Sequence, residues 1–104
     1  MIIVTTEHIP GKTITRTIGL VKGNTIRARH FGRDIAAAFK NVVGGEISDY
    51  TKMIAESREQ AIDRMKEDAT RQGANAIIMT RFATSSMMQG AAELLAYGTA
   101  VVAE

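Results

Sequence analysis

Apolar residues recur along the second half of the chain with two different periods, and the change of period separates a helix from a pair of strands. Tyr50, Ile54, Ala61, Ile62, Met65 and Ala69 share one face at about 100° per residue, with Lys52, Glu56, Glu59, Asp63 and Glu67 opposite. The pattern predicts a long amphipathic helix over about 48–72, begun at Ser48 or Asp49 and closed by Gly73. Residues 75–82 and 94–103 read as strands joined through Gly90, a connection short enough for an antiparallel pair. In the last strand Leu94, Ala96 and Val102 fall on one face and Leu95, Tyr97 and Val101 on the other, so both faces need cover. One helix covers one face of a small sheet. Self-association is expected to cover the other.

The first half is patterned more weakly. Residues 2–6 are short and mostly β-branched, which predicts a strand, and His8-Ile9-Pro10-Gly11 predicts a turn. Residues 13–21 alternate, with Ile14, Ile18 and Leu20 on one side; Gly23-Asn24 then marks a bulge or tight turn before Ile26 and Ala28. One long bent strand or a hairpin is expected. Asp34 is placed to cap a short helix through Phe39 that stops at Gly44-Gly45. The expected class is therefore α+β: a two-layer subunit, one long helix on a mainly antiparallel sheet, as a single domain over residues 1–104.

Composition narrows the chemistry. With 104 residues, 45% hydrophobic and 23% charged, the chain has an ordinary globular make-up. It contains no cysteine, which excludes a disulfide framework, a thiolate metal site and a cysteine nucleophile. No apolar run reaches the roughly 18 residues of a membrane span, and Met1-Ile2-Ile3-Val4-Thr5 lacks a basic leader, so a cytoplasmic protein without membrane contact is expected. Residues 1–45 hold seven basic and two acidic side chains, against six and nine in 46–104, so a net +5 half precedes a net −3 half. The stretch from Lys12 to Arg33 has six basic residues and no acidic one. It reads as a solvated strand whose charges meet acidic groups of the helix or of a neighbouring subunit. A nucleic-acid or acidic-partner surface on 12–33 is the alternative, but Phe31 is the one aromatic residue among these cations, where a base-stacking platform needs several.

Three residues stand out as candidate ligand-binding groups: Glu46, Tyr50 and Arg58. Arg58 falls near the middle of the apolar arc, between Ile54 and Ala61, where a guanidinium needs a carboxylate or carbonyls for its five donors. Glu46 and then Glu93 are the candidate partners. The pair is either structural or an anion-binding group in a pocket. Gly44 and Gly45 precede Glu46 without the Lys-Ser/Thr of a phosphate loop. His8 and His30 lack the short spacing of a metal motif even with Glu7 or Asp34 beside them, and Met87-Met88 point to opposite faces of a strand. Ser85 and Ser86 have no nucleophile context. No catalytic residue, metal site or cofactor is expected.

Taken in order, Gly11 through Ile18 with Gly19-Leu20-Val21-Lys22-Gly23, then Gly44-Gly45-Glu46 and Tyr50, Arg58 with Ala61, Gly73-Ala74-Asn75-Ala76 and Ala96-Tyr97-Gly98-Thr99-Ala100-Val101 resemble the YbjQ-like family over nearly the whole chain. The resemblance implies a two-layer α+β subunit assembled into a ring, with pentamers the expected form. It carries a heavy-metal-binding label and no agreed catalytic residue. Glu46, Tyr50 and Arg58 match the family's pattern. The expectation is a non-enzymatic, ring-forming homo-oligomer that binds a small ligand or metal ion at subunit interfaces or in a central cavity. An enzyme with an interface pocket built on Glu46, Tyr50 and Arg58 is the first alternative. Nucleic-acid binding through 12–33 is the second and is not expected.

Overall fold

The 3.6-residue period becomes one continuous helix, α1 (Glu46–Arg71), in a computed structural model that describes residues 1–28, 46–88 and 91–104, with side chains placed at 1–26, 52–85 and 92–104. The helix begins two residues before Ser48, within the usual uncertainty of helix ends. Its C-terminus closes as the glycine predicts. Gly73 has φ 88°, its N–H donates to the Thr70 carbonyl, and the Ala74 N–H reaches back to the Ala69 carbonyl. These two bonds satisfy carbonyls that the last turn would leave unpaired. The predicted short helix after Asp34 lies outside the described residues.

Four strands form one mixed sheet: β1 (Ile2–Ile3), β2 (Ile14–Ala28), β3 (Ala76–Met88) and β4 (Ala91–Ala103), in the order β1-β3-β4-β2. The apolar β4 lies inside, antiparallel to both β2 and β3, while β1 pairs parallel to β3 at Ile2↔Ala76 and Ile3↔Ile77. The expected strand over 2–6 is thus shortened to two residues of ladder. β3 and β4 are longer than their apolar cores, because pairing carries on through Thr84, Ser85 and Ser86.

β2 is a single strand and not a hairpin. Its irregularities fall between Ile14 and Arg16 and between Thr17 and Gly19, not at Gly23-Asn24. The second shift, with Gly19 at φ 138°, changes the alternation. Ile18 and Val21 consequently pack under the helix, whereas Leu20 is turned to the opposite face and is 66% exposed. This corrects the expectation that Ile14, Ile18 and Leu20 share one side.

The main core lies between α1 and the sheet, from Val21, Ala61, Met65, Ala69, Ile77, Ala96 and Ala100. Most of these side chains are small, so helix and sheet approach closely. At Gly23 a Cβ would collide with the Ala61 carbonyl oxygen and the Met65 backbone nitrogen. Polar bonds fix the same contact: Thr25 Oγ1 donates to the Ser57 carbonyl at 3.2 Å, Arg64 donates to the Asn24 carbonyl, and the Lys22 N–H donates to Asp68 Oδ2 at 3.3 Å. The last two use outward-facing groups of an edge strand, so α1 blocks that part of the edge against further pairing.

A second, smaller core covers part of the other face. Ile9, Ala76, Ile78, Val101 and Ala103 are buried there, with Val4 and Ile14 packed against them. The segment before β2 therefore shields one end of this face, so the cover expected from self-association is supplied there by the chain itself. Asn75 ties the same end together: its side chain donates to the Ala103 carbonyl and accepts from the Ala103 N–H, each at 2.8 Å.

Candidate functional site

Glu46, Tyr50 and Arg58 all belong to α1 and, with Ile54, lie along one row of every fourth residue. The side chains of Glu46 and Tyr50 lie outside the described residues. Twelve residues of helix separate Glu46 from Arg58, about 18 Å along the axis, which is beyond the reach of a Glu–Arg pair within one subunit. Glu93, the second candidate partner, is engaged elsewhere: its Oε2 accepts from Asn24 Nδ2 at 3.0 Å. Arg58 is exposed and takes no part in the ion pairs of the described residues.

The expected burial of Arg58 is therefore corrected, and helix geometry explains why. The buried residues Ser57, Ala61, Met65 and Ala69 follow every fourth position, a row inclined to the axis. An average over the whole helix places Arg58 inside the apolar arc. At its own level, however, the sheet is met by Ser57, and Arg58 stands about 100° away from it.

His8 is also at the surface. Its Nε2 is 3.6 Å from Glu7 Oε1, with the two side chains 85% and 70% exposed. They border an open cleft of about 620 Å³ lined by Thr5, Thr6, Glu7, His8, Pro10, Met79 and Arg81. Met79 there adopts φ 53°, unusual for a side chain of its size, at the irregularity between Ile78 and Arg81. Its neighbour Thr80 is buried with Oγ1 unpartnered, beside Gly98. His30, Asp34, Gly44 and Gly45 lie outside the described residues. Among the described residues no three His, Asp or Glu side chains converge as a metal site, and the chain has no thiolate to offer a soft metal.

The face opposite α1 carries a grouping that linear inspection misses. Lys22 pairs with Tyr97 across β2 and β4, and Arg81 pairs with Tyr97 across β3 and β4. Paired residues point to the same side, so a lysine and an arginine stand on either side of one tyrosine in a row across the sheet. Their sequence separation hides them. Only the register of two strand pairs brings positions 22, 81 and 97 together, and no spacing rule encodes that register.

Asp68 is the described carboxylate with a clearly displaced titration. The Gln72 side chain donates to it at 3.1 Å and is the principal cause of a lowered pKa; partial desolvation opposes this, and the Lys22 N–H and Arg71 add to the lowering. A carboxylate whose folded pKa is depressed stabilises the fold above its ordinary value near 3.8, and this contribution is lost as pH falls through the folded value. Asp68→Asn keeps an acceptor but removes the charge. It is expected to lower the unfolding temperature near neutral pH, with the gap to the parent protein narrowing as the pH falls below the ordinary carboxylate value toward about pH 3. A gap unchanged down to that pH overturns the assignment.

These features define a small α+β subunit with one helix-covered sheet face and, among the described residues, one face covered only at one end. The chain belongs to the YbjQ-like family: the family model described as "Putative heavy-metal-binding" matches residues 1–104. A UPF0145 protein of Clostridioides difficile is 60% identical over 104 residues, covering 100% of this chain and 93% of the relative. Another, from Methanosarcina acetivorans, is 56% identical over 101 residues, covering 97% and 95%. The crystal structure of a protein of unknown function from Pediococcus pentosaceus superposes with a TM-score of 0.66 at 18% identity, covering 100% of this chain and 98% of that one. The likeness extends to the fold. Among the described residues no helix is long and apolar enough to cross a membrane.

Proposed function

We propose that the protein is a non-enzymatic, ring-forming homo-oligomer of the cytoplasm, a pentamer by family resemblance, that binds a small ligand at subunit contacts or in the space they enclose. The observation that carries this reading is the sheet face left open by α1. Leu20 is 66% exposed and Ile26 54% exposed there, with half-buried Leu95 between them. Large apolar side chains grouped on one face are a common mark of an interface. The radius of gyration, 17.1 Å, exceeds the ~13 Å expected of a compact chain of this length, as for a subunit completed by its neighbours. Beyond Thr80 the outer edge of β3 has no strand partner among the described residues, which leaves backbone groups for an adjoining chain.

Glu46, Tyr50 and Arg58 enter this reading as candidate ligand groups only where a neighbouring subunit closes the site, since Glu46 and Arg58 cannot meet within one chain. Native mass spectrometry at micromolar concentration is expected to show a closed homo-oligomer, with five subunits, and no populated monomer. A monomer at that concentration overturns the assembly.

A further inference from the structure

The row of Lys22, Tyr97 and Arg81 joins charge and aromatic surface on the open face. Neighbouring strands lie about 5 Å apart, so the row spans about 10 Å between its outer Cα atoms. Lys22 and Arg81 are exposed and Tyr97 is half-buried. Neither cation is paired with a carboxylate among the described residues: Glu93, on the same face, lies four residues along β4 from Tyr97 and accepts from Asn24. Arg81 is fixed. Its Nη1 donates to the Thr5 carbonyl at 2.8 Å and the Thr80 carbonyl at 2.9 Å, which leaves Nε and Nη2 to serve an acceptor. These bonds hold the guanidinium at the outer edge of β3, beside the cleft that includes Thr6 and His8.

We propose that this row binds a free nucleoside phosphate, with the base stacked on the Tyr97 ring and the phosphate held by Arg81, Lys22 supplying the second positive charge. The chemistry follows from the three groups. An aromatic side chain flanked by cations attracts a flat, electron-rich ring and a nearby anion together. Single-stranded nucleic acid requires successive stacking surfaces, and Phe82, the adjacent aromatic residue of β3, pairs with Ala96 and so points to the helix side. Tyr97 is the sole aromatic side chain on the open face among the described residues. The inference rests on the ligand-binding half of the proposed function and not on the ring.

Calorimetry with adenosine monophosphate, adenosine, inorganic phosphate and a single-stranded oligoadenylate tests it, with native mass spectrometry of every sample. Adenosine monophosphate is expected to bind once per subunit, with adenosine and phosphate alone each at least tenfold weaker. Tyr97→Leu, which keeps an apolar side chain, and Lys22→Gln are each expected to weaken binding roughly tenfold, the order of one stacked base. Wild-type protein that does not bind the nucleotide, or a Tyr97→Leu variant that binds it unchanged, overturns the proposal. Oligoadenylate binding far more tightly per site than the mononucleotide overturns it in favour of a nucleic-acid surface. Nucleotide binding by a monomer overturns the ring and leaves this site standing; a ring that does not bind the nucleotide does the reverse. Loss of assembly in Tyr97→Leu, with no nucleotide bound by the parent protein, assigns the row to the subunit contact instead.

Discussion

Gly23→Ala is expected to destabilise the subunit by about 3 kcal/mol, at the upper end of ordinary overpacking. The added Cβ meets backbone, not a side chain that can swing away: the Ala61 carbonyl oxygen and the Met65 nitrogen both lie inside contact distance, and Arg64 Cβ is 2.8 Å away. Relief requires α1 to lift from β2. That movement stretches the bonds from Thr25 to the Ser57 carbonyl, from Arg64 to the Asn24 carbonyl and from the Lys22 N–H to Asp68. The variant should lose tertiary structure at lower denaturant concentration than the parent, compared at one fixed protein concentration so that the proposed assembly does not enter the difference. A shift below about 0.5 kcal/mol, the size of an ordinary surface substitution, shows that the helix does not sit on this strand.

Met65→Ala is expected to cost about 3–4 kcal/mol, within the range for truncating a fully buried methionine. Met65 is 0% exposed and is the largest of the fully buried side chains. Around it stand Val21, Ala61, Ala69, Ile77, Ala96 and Ala100. Four of those six are alanines, too short to move into the space, so the cavity persists and its cost is not recovered by collapse. Met65→Leu keeps most of the volume and is expected to cost under about 1.5 kcal/mol. Denaturant unfolding of the two variants measures the difference. Equal losses mean that the site tolerates a void and that the helix is held chiefly elsewhere.

Both substitutions fall where α1 meets the sheet, and α1 is the element that the residue pattern specifies most fully. A helix is a local object: its period, its solvent face and its terminal glycine depend on residues a few positions apart, so α1 and the Gly73 cap are legible from residues 46–76. The antiparallel pairing of β3 and β4 is legible for a similar reason, a short connection between two apolar runs. Gly23 shows where local reading stops. In the chain it looks like a turn residue, because turns are the commonest local use of glycine. In the fold it is flat strand, and its missing side chain serves a helix residue nearly 40 positions away.

The candidate site divides in the same way. Arg58 is conspicuous on a helical wheel because the wheel averages over the whole helix. The true contact follows an inclined row through Ser57, Ala61, Met65 and Ala69, which leaves the guanidinium in solvent. Conversely, Lys22, Arg81 and Tyr97 are unremarkable one at a time. They become neighbours only because β4 is paired on both sides.

By itself the sequence determined the α+β class, the long amphipathic helix and its end, the last strand apolar on both faces and the absence of thiolate chemistry. Each depends on composition or on the spacing of near neighbours. The tertiary structure alone decided the strand order, the parallel pairing of β1, the shift at Thr17–Gly19 that turns Leu20 outward, and the row of Lys22, Tyr97 and Arg81. These depend on which of several energetically similar long-range pairings the chain adopts. The close packing of α1 on Gly23 and the bonds that tie helix to strand are part of that balance among distant residues, which no local pattern records.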